Sequence, residues 1–207
     1  MAAGNPNRKG TTWSWRTATT FVWIAIAVPA WPMVADFWHN ERYYPELMHD
    51  SGLLSVQLLV FTLLITPLAS ALAKREAFKP FSRWLVKRRR NLGVGSFAYA
   101  CFHLLFYIRE TADLTLIFLE ATDPALLLGW IALLIFAPLA ITSNNWSVQK
   151  LLTRWKKIHL WVYPAGFATF LHWVLLDDFL TTFTIWASVL VFGKICHLAI
   201  RQRQYVG

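Results

Sequence analysis

Charge is scarce in this sequence: Asp, Glu, Lys and Arg together make up 15% of the 207 residues, against about 25% in an ordinary soluble domain. Cysteine is scarcer still. The two present, Cys101 and Cys196, lie far apart inside apolar runs and resemble neither a disulfide framework nor a metal knuckle. There are 9 glycines and 9 prolines without any period, which excludes a collagen-like or low-complexity chain. Hydrophilic stretches are short throughout, so no separate water-soluble domain fits between the apolar ones. What is present in excess is apolar surface: 57% of residues are hydrophobic, 16% are aromatic and 12 are Trp. A soluble globule of this size cannot hide that much. The 20 basic residues exceed the 11 acidic ones, for a formal net charge of +9. Nucleic-acid binding is not indicated, because the basic clusters alternate with apolar runs instead of forming a stripe on a polar domain.

A helix needs roughly 20 apolar residues to cross a bilayer core of about 30 Å. Six stretches qualify, over approximately 18–37, 52–73, 92–110, 124–142, 156–176 and 179–199. The predicted fold is an all-α integral membrane protein, a single domain over 1–207 built as a bundle of six transmembrane helices. Charge supports that count. The N-terminus, the 74–90 loop, the 150–157 loop and the tail, with Lys194, collect 18 of the 20 basic residues, whereas the opposite side keeps Arg42 and Arg109 with 10 of the 11 acids. The +9 is thus the sum of +17 on one face and −8 on the other, and the positive-inside rule places both termini in the cytoplasm. The first run is too long and too rich in Trp for the apolar region of a signal peptide, although its removal would leave the charge pattern unchanged.

Of six histidines, His39 and His49 fall in an acidic outer loop and His197 sits beside Lys194 and Arg201 near the end of the last span. These read as solvated or interfacial side chains. His103, His159 and His172 lie within spans, where an ionisable ring is a functional-site candidate. His103 is six residues from Arg109 and His172 is five from Asp177, which sets both rings about 8–9 Å below the outer charged boundary at 1.5 Å per residue. Two neutral imidazoles at one depth on facing helices suit bis-histidine haem ligation. A structural zinc site wants four close ligands, and no such cluster stands in these helices. An interhelical hydrogen bond between the two rings is the plain structural alternative. Aromatic neighbours, Phe97, Tyr99, Phe102, Phe106 and Tyr107 on one helix and Trp161, Phe167, Phe170 and Trp173 on the other, would line a porphyrin. His159 lies near the basic face, thirteen residues before His172. On a straight helix that leaves the rings roughly 140° out of phase, and Pro164 with Gly166 could rephase them.

Several stretches together resemble a known family: Leu63-Leu64-Ile65-Thr66-Pro67-Leu68, Arg88-Arg89-Arg90-Asn91-Leu92-Gly93 leading toward His103, Ile141-Thr142-Ser143, and His159 with Tyr163 and His172. The chain is similar, over nearly all six spans, to haem-binding membrane subunits of periplasmic protein-methionine-sulfoxide reductase systems (the MsrQ or YedZ type), within the ferric-reductase-like transmembrane superfamily. The superfamily stacks two b-type haems between its third and fifth helices, each helix giving one histidine to each. Here Arg89 and Arg90 stand where the inner histidine of the third helix would be, a departure that the resembled subfamily shares. An arginine offers no lone pair to iron.

The resemblance therefore implies one haem b on His103 and His172, with His159 as half of a possible second site. It also implies FMN at the cytoplasmic side, with Arg89 and Arg90 as its first candidate contacts. The four cations Lys87 to Arg90 read equally as a simple topology signal. The implied role is an electron conduit in the bacterial inner membrane, with a quinol or reduced flavin as donor and a periplasmic molybdenum-containing methionine-sulfoxide reductase as acceptor. No substrate catalysis is expected on this chain. The sequence ends at Gly207, eight residues past the last span, without the FAD and NAD(P)H domains of ferric reductases, so electrons are expected from another molecule. The rivals are a stand-alone ferric- or quinone-linked cytochrome b and, from another class, a transporter or structural subunit. A transporter would be expected to show internal repeats or broken midplane helices.

Overall fold

The computed structural model describes residues 15–39, 44–176, 184–191, 193 and 195, and the described residues are helices and short connections. The first apolar run forms two helices, α1 (Trp15–Ala27) and α2 (Ala30–His39), where one was expected. Pro29 lies at the break: its ring removes an N–H and disfavours helix in the residue before it. Together the two make an apolar stretch of 21 residues, Thr19–His39.

Next come α3 (Tyr44–Leu72), a 3-10 turn (Glu76–Phe78), α4 (Lys79–Thr111), α5 (Leu114–Glu120), α6 (Pro124–Ile141), α7 (Asn145–His159) and α8 (Val162–Leu176). Among the described residues four stretches are long and apolar enough to cross a membrane: Thr19–His39, Tyr44–Leu72, Glu76–Thr111 and Pro124–Ile141. The fifth expected span is represented by α8, apolar but 15 residues long. The sixth, 179–199, falls on residues that are helical over 184–191 and at 193 and 195 and otherwise lie outside the described residues. Cys196, His197, Asp177, Asp178, Glu41, Arg42, Lys194 and the charged terminal residues also lie outside them.

The expected loops at 74–90 and 150–157 are mostly helix. Lys and Arg are good helix formers, so a run of cations marks where the chain meets water and not where its helix stops. At 33 residues, α4 is about 50 Å long by its rise per residue and carries its basic N-terminal turns beyond the apolar part. It ends at Ala112, in the left-handed region at φ 51°, whose N–H reaches the Ile108 carbonyl. Two acids of the outer face cap helices. Asp113 caps α5 by accepting from the Thr115 and Leu116 N–H groups. Asp123 caps α6 by accepting from Ala125 and Leu126, just before the Pro at its first turn. Asn144 caps α7 through Ser147 N–H.

The expected 156–176 span is also interrupted, at Leu160–Trp161. Pro164 cannot donate to the Leu160 carbonyl, so the chain turns ahead of the proline instead of kinking after it. The result separates His159, the last residue of α7, from α8, which carries His172. A second kink lies within α7, where Leu152 adopts φ 45° and ψ −116°.

The bundle is organised as two closely packed pairs, α3 with α4 and α6 with α8, joined by α4 against α6. A clasp holds the first pair: Ser55 Oγ donates to the Ser96 carbonyl at 2.9 Å, and Ser96 Oγ donates to the Ser55 carbonyl at 2.8 Å. Toward one end Met33, Tyr44, Leu47, Tyr99 and Phe106 form a buried cluster across α2, α3 and α4. Tyr99 ties it to α1 by donating to the Ile26 carbonyl. Large apolar side chains such as Trp31, Phe61, Phe118, Leu134 and Phe167 are exposed on the outside. In water such a surface would be an aggregation hazard; it is the surface a bilayer covers.

Candidate functional site: a pair of imidazoles on an apolar cavity

His103 on α4 and His172 on α8 meet across the bundle. Their ring centroids are 6.2 Å apart and their planes stand at 87°. Both line a cavity of about 430 Å³ between the two helix pairs, and its walls include Leu59, Leu104, Ala132, Leu133, Phe136 and Trp173. Each ring is held by a backbone carbonyl on the neighbouring helix of its pair. His103 Nδ1–H donates to the Met48 carbonyl at 2.8 Å, and His172 Nδ1–H donates to the Ala125 carbonyl at 2.7 Å. A carbonyl oxygen only accepts, so Nδ1 must carry the proton, and the neutral ring keeps its lone pair on Nε2. Metal-ligating imidazoles are oriented by this kind of outer hydrogen bond.

The spacing can be compared with a shared ion. Two imidazoles on one first-row metal along a common axis, with bonds of about 2.0–2.1 Å, place their centroids about 6.3 Å apart. The observed 6.2 Å fits. Among the described residues no group of three or more His, Cys, Asp or Glu side chains could hold a metal by itself, so a four-ligand protein zinc site has no ligand set there. Two imidazoles 6.2 Å apart on a large cavity with apolar walls and few polar groups would suit a planar macrocycle that brings its own equatorial donors.

The aromatic lining differs from expectation. Tyr107 and Trp173 reach the cavity, but Tyr99 and Phe106 belong to the buried cluster, with Phe102 packed against it, and Trp161 and Phe167 are exposed. Sequence spacing cannot tell which face of a membrane helix meets lipid. His49, expected in a solvated loop, lies on α3 at the cavity wall, with its Nδ1 3.5 Å from Asp50. Tyr107 donates to Glu120 at 2.7 Å. His39 contacts the Ala35 carbonyl of its own helix.

The other candidates gather elsewhere. His159 stacks on Trp155 with centroids 3.9 Å apart; its Nδ1 faces the Trp155 carbonyl at 3.1 Å and its Nε2 faces Ser143 Oγ at 3.3 Å. Arg89 donates to Thr66 Oγ1 at 3.2 Å, and Arg90 donates to Asn145 Oδ1 at 2.6 Å. Arg88 is buried and donates to Thr19 Oγ1. His159, Arg89 and Arg90 are near enough to interact electrostatically, so the structure brings these three to one end and leaves them out of the His103 and His172 cavity.

A helical membrane protein with two carbonyl-oriented imidazoles on an apolar cavity has the form of a cofactor-holding transmembrane subunit. Comparison gives the family. Residues 51–170 match the ferric reductase like transmembrane component family, and the chain belongs to it, as a member of the MsrQ type. It is 32% identical over 165 residues to a protein-methionine-sulfoxide reductase heme-binding subunit MsrQ of Yersinia pseudotuberculosis serotype O:1b (strain IP 31758), covering 77% of this chain and 74% of the relative. It is equally similar to a protein of the same name from Yersinia pestis (strain Pestoides F), with 77% and 73% covered. No solved structure matches the chain.

Proposed function

We propose that this protein is the haem b-binding membrane subunit of a methionine-sulfoxide reductase system, and that His103 and His172 are the axial ligands of that haem. The observation that carries the reading is the imidazole pair: 6.2 Å between centroids, with each Nδ1 committed to a carbonyl. The printed names of the Yersinia relatives, which call them heme-binding subunits, support the same reading. Haem bound there would supply a one-electron centre between a quinol or reduced flavin on the cytoplasmic side and a periplasmic molybdenum-containing methionine-sulfoxide reductase. The chain's own part is to hold, orient and insulate. Met48 and Ala125 reserve both Nε2 lone pairs, apolar side chains make up most of the cavity wall, and α4 and α8 fix the distance between ligands.

In this reading the protein lies in the bacterial inner membrane with both termini cytoplasmic. The end that carries Arg89, Arg90 and His159 then faces the donor. Arginine forks beside hydroxyl and amide groups suit a phosphate, so this end is the proposed FMN contact and the place of any second haem for which His159 would serve. As it stands, His159 is engaged on both ring nitrogens, and an inner ligand role would require Ser143 to yield.

The test is a set of separate substitutions in protein purified with adequate haem supply. His103→Ala and His172→Ala should each abolish the low-spin bis-histidine absorption of the reduced protein, and His159→Ala should retain it. A low-spin spectrum that survives loss of His103 or His172 would overturn the ligand assignment.

A further inference from the structure

Two glycines stand in the same relation to the two imidazoles. A Cβ built on Gly52 of α3 would lie 2.9 Å from Nδ1 and 3.2 Å from Cε1 of His103. One built on Gly129 of α6 would lie 2.8 Å from Cε1, 2.9 Å from Nδ1 and 3.2 Å from Nε2 of His172. Real Cβ atoms do not approach below 3.0 Å without a displacement. The register matches as well. Gly52 is four residues after Met48 and Gly129 is four after Ala125, and these are the residues whose carbonyls hold the rings.

The spacing of four has a physical reason. In an α-helix the carbonyl of residue i accepts from the N–H of residue i+4, and each Cα–Cβ bond tilts toward the helix N-terminus. A side chain at i+4 therefore overhangs the carbonyl at i. Glycine there removes the overhang and opens the second lone pair of that carbonyl to a side chain from outside the helix. Gly93 and Gly166 lack this role: a Cβ on either would meet only ordinary contacts, at 3.6 Å from Thr62 and 3.9 Å from Leu59 and Leu63.

The geometry points to Gly52 and Gly129 as paired positioning residues: each, with the carbonyl four residues before it, forms a bracket that holds one imidazole in its Nδ1–H tautomer and sets its orientation on the cavity. The consequence for cofactor binding rests on the haem reading above; the bracket itself does not. An added methyl displaces the ring before it displaces a helix, because the ring turns on two side-chain torsions whereas α3 and α6 are each packed along a partner helix. The turned ring loses its carbonyl. Loss of outer support for a ligating imidazole lowers metal affinity about 10- to 100-fold.

The experiment compares Gly52→Ala and Gly129→Ala with Gly93→Ala and Gly166→Ala in the full chain in micelles. Haem titration should show affinity about 10- to 100-fold weaker in the first two, with shifted low-spin g values in electron paramagnetic resonance, and native behaviour in the second two. Native affinity and g values in both Gly52→Ala and Gly129→Ala would overturn the inference. Nitrogen-15 spectra of labelled histidines in the haem-free native chain test the brackets even where a variant fails to fold. The inference requires Nδ1–H on His103 and His172, and Nε2–H on either overturns it. A chain that shows both Nδ1–H tautomers but binds no haem overturns the haem reading and leaves the brackets standing.

Discussion

The serine clasp between α3 and α4 gives a quantitative prediction about what holds the bundle together. Ser55 and Ser96 are both buried, and each hydroxyl donates to the other residue's carbonyl at 2.9 and 2.8 Å. Ser55→Ala or Ser96→Ala removes one donor. The carbonyl it served keeps its own helical hydrogen bond, so no buried group is orphaned and the large penalty for an unsatisfied acceptor does not arise. Within a membrane, interhelical hydrogen bonds average about 0.6 kcal/mol with a maximum of about 1.7. Each single change should therefore cost about 0.5–1.5 kcal/mol, and the double change should cost about the sum, because the two bonds share neither donor nor acceptor.

The assay is a double-mutant cycle on unfolding in mixed micelles. Coupling within about 0.5 kcal/mol is what independent bonds give. Ser70→Ala is the control: Ser70 Oγ donates to the Thr66 carbonyl of its own helix, an arrangement that adds little or slightly destabilises. Single changes indistinguishable from Ser70→Ala would refute the clasp as an interhelical contact. A coupling above about 1 kcal/mol would refute the independence of its two halves.

Three further outcomes follow from other contacts. Asp123→Ala should cost about 0.5–2 kcal/mol through loss of the α6 cap and should also weaken haem retention, since the capped turn carries Ala125, whose carbonyl holds His172; Asp123→Asn should restore both, and normal retention in a destabilised Asp123→Ala would separate cap from site. Tyr107→Phe removes the bond to Glu120 and should lower stability by about 1 kcal/mol in thermal unfolding, with no effect speaking against that contact. Cys101 is exposed on the apolar part of α4, so in a Cys196→Ala background a charged, membrane-impermeant maleimide should leave it unmodified in intact vesicles and react after denaturation; rapid labelling in vesicles would contradict its placement against lipid.

Much of this architecture is legible in the residues because the bilayer imposes a simple length and polarity requirement. Runs ending near Leu72 and Ile141, expected as spans, form helices long and apolar enough to cross a membrane. His103 and His172 stand out because an imidazole inside such a run is costly unless it is used. Other features depend on what packs where. Cations from Lys79 to Arg90 look like a loop but are the first turns of α4, since polarity reports contact with water and not backbone conformation. Pro164 signals the interruption near His159, but its constraint acts on the residues before it, which moves the break to Leu160–Trp161. The roles of Gly52 and Gly129 cannot be read from one helix at a time, because each is defined by a ring on another helix. Phe106 and Phe167 look alike in sequence, and only packing makes one core and the other lipid-facing.

Ligation of one haem by His103 and His172 together is tested by the low-temperature electron paramagnetic resonance spectrum of the oxidised native protein, alongside its reduced-minus-oxidised absorption. The expected result is a low-spin ferric signal of two neutral imidazoles, with planes near the 87° seen between the rings. A high-spin ferric spectrum, or no haem signal in protein made with adequate haem supply, would contradict it.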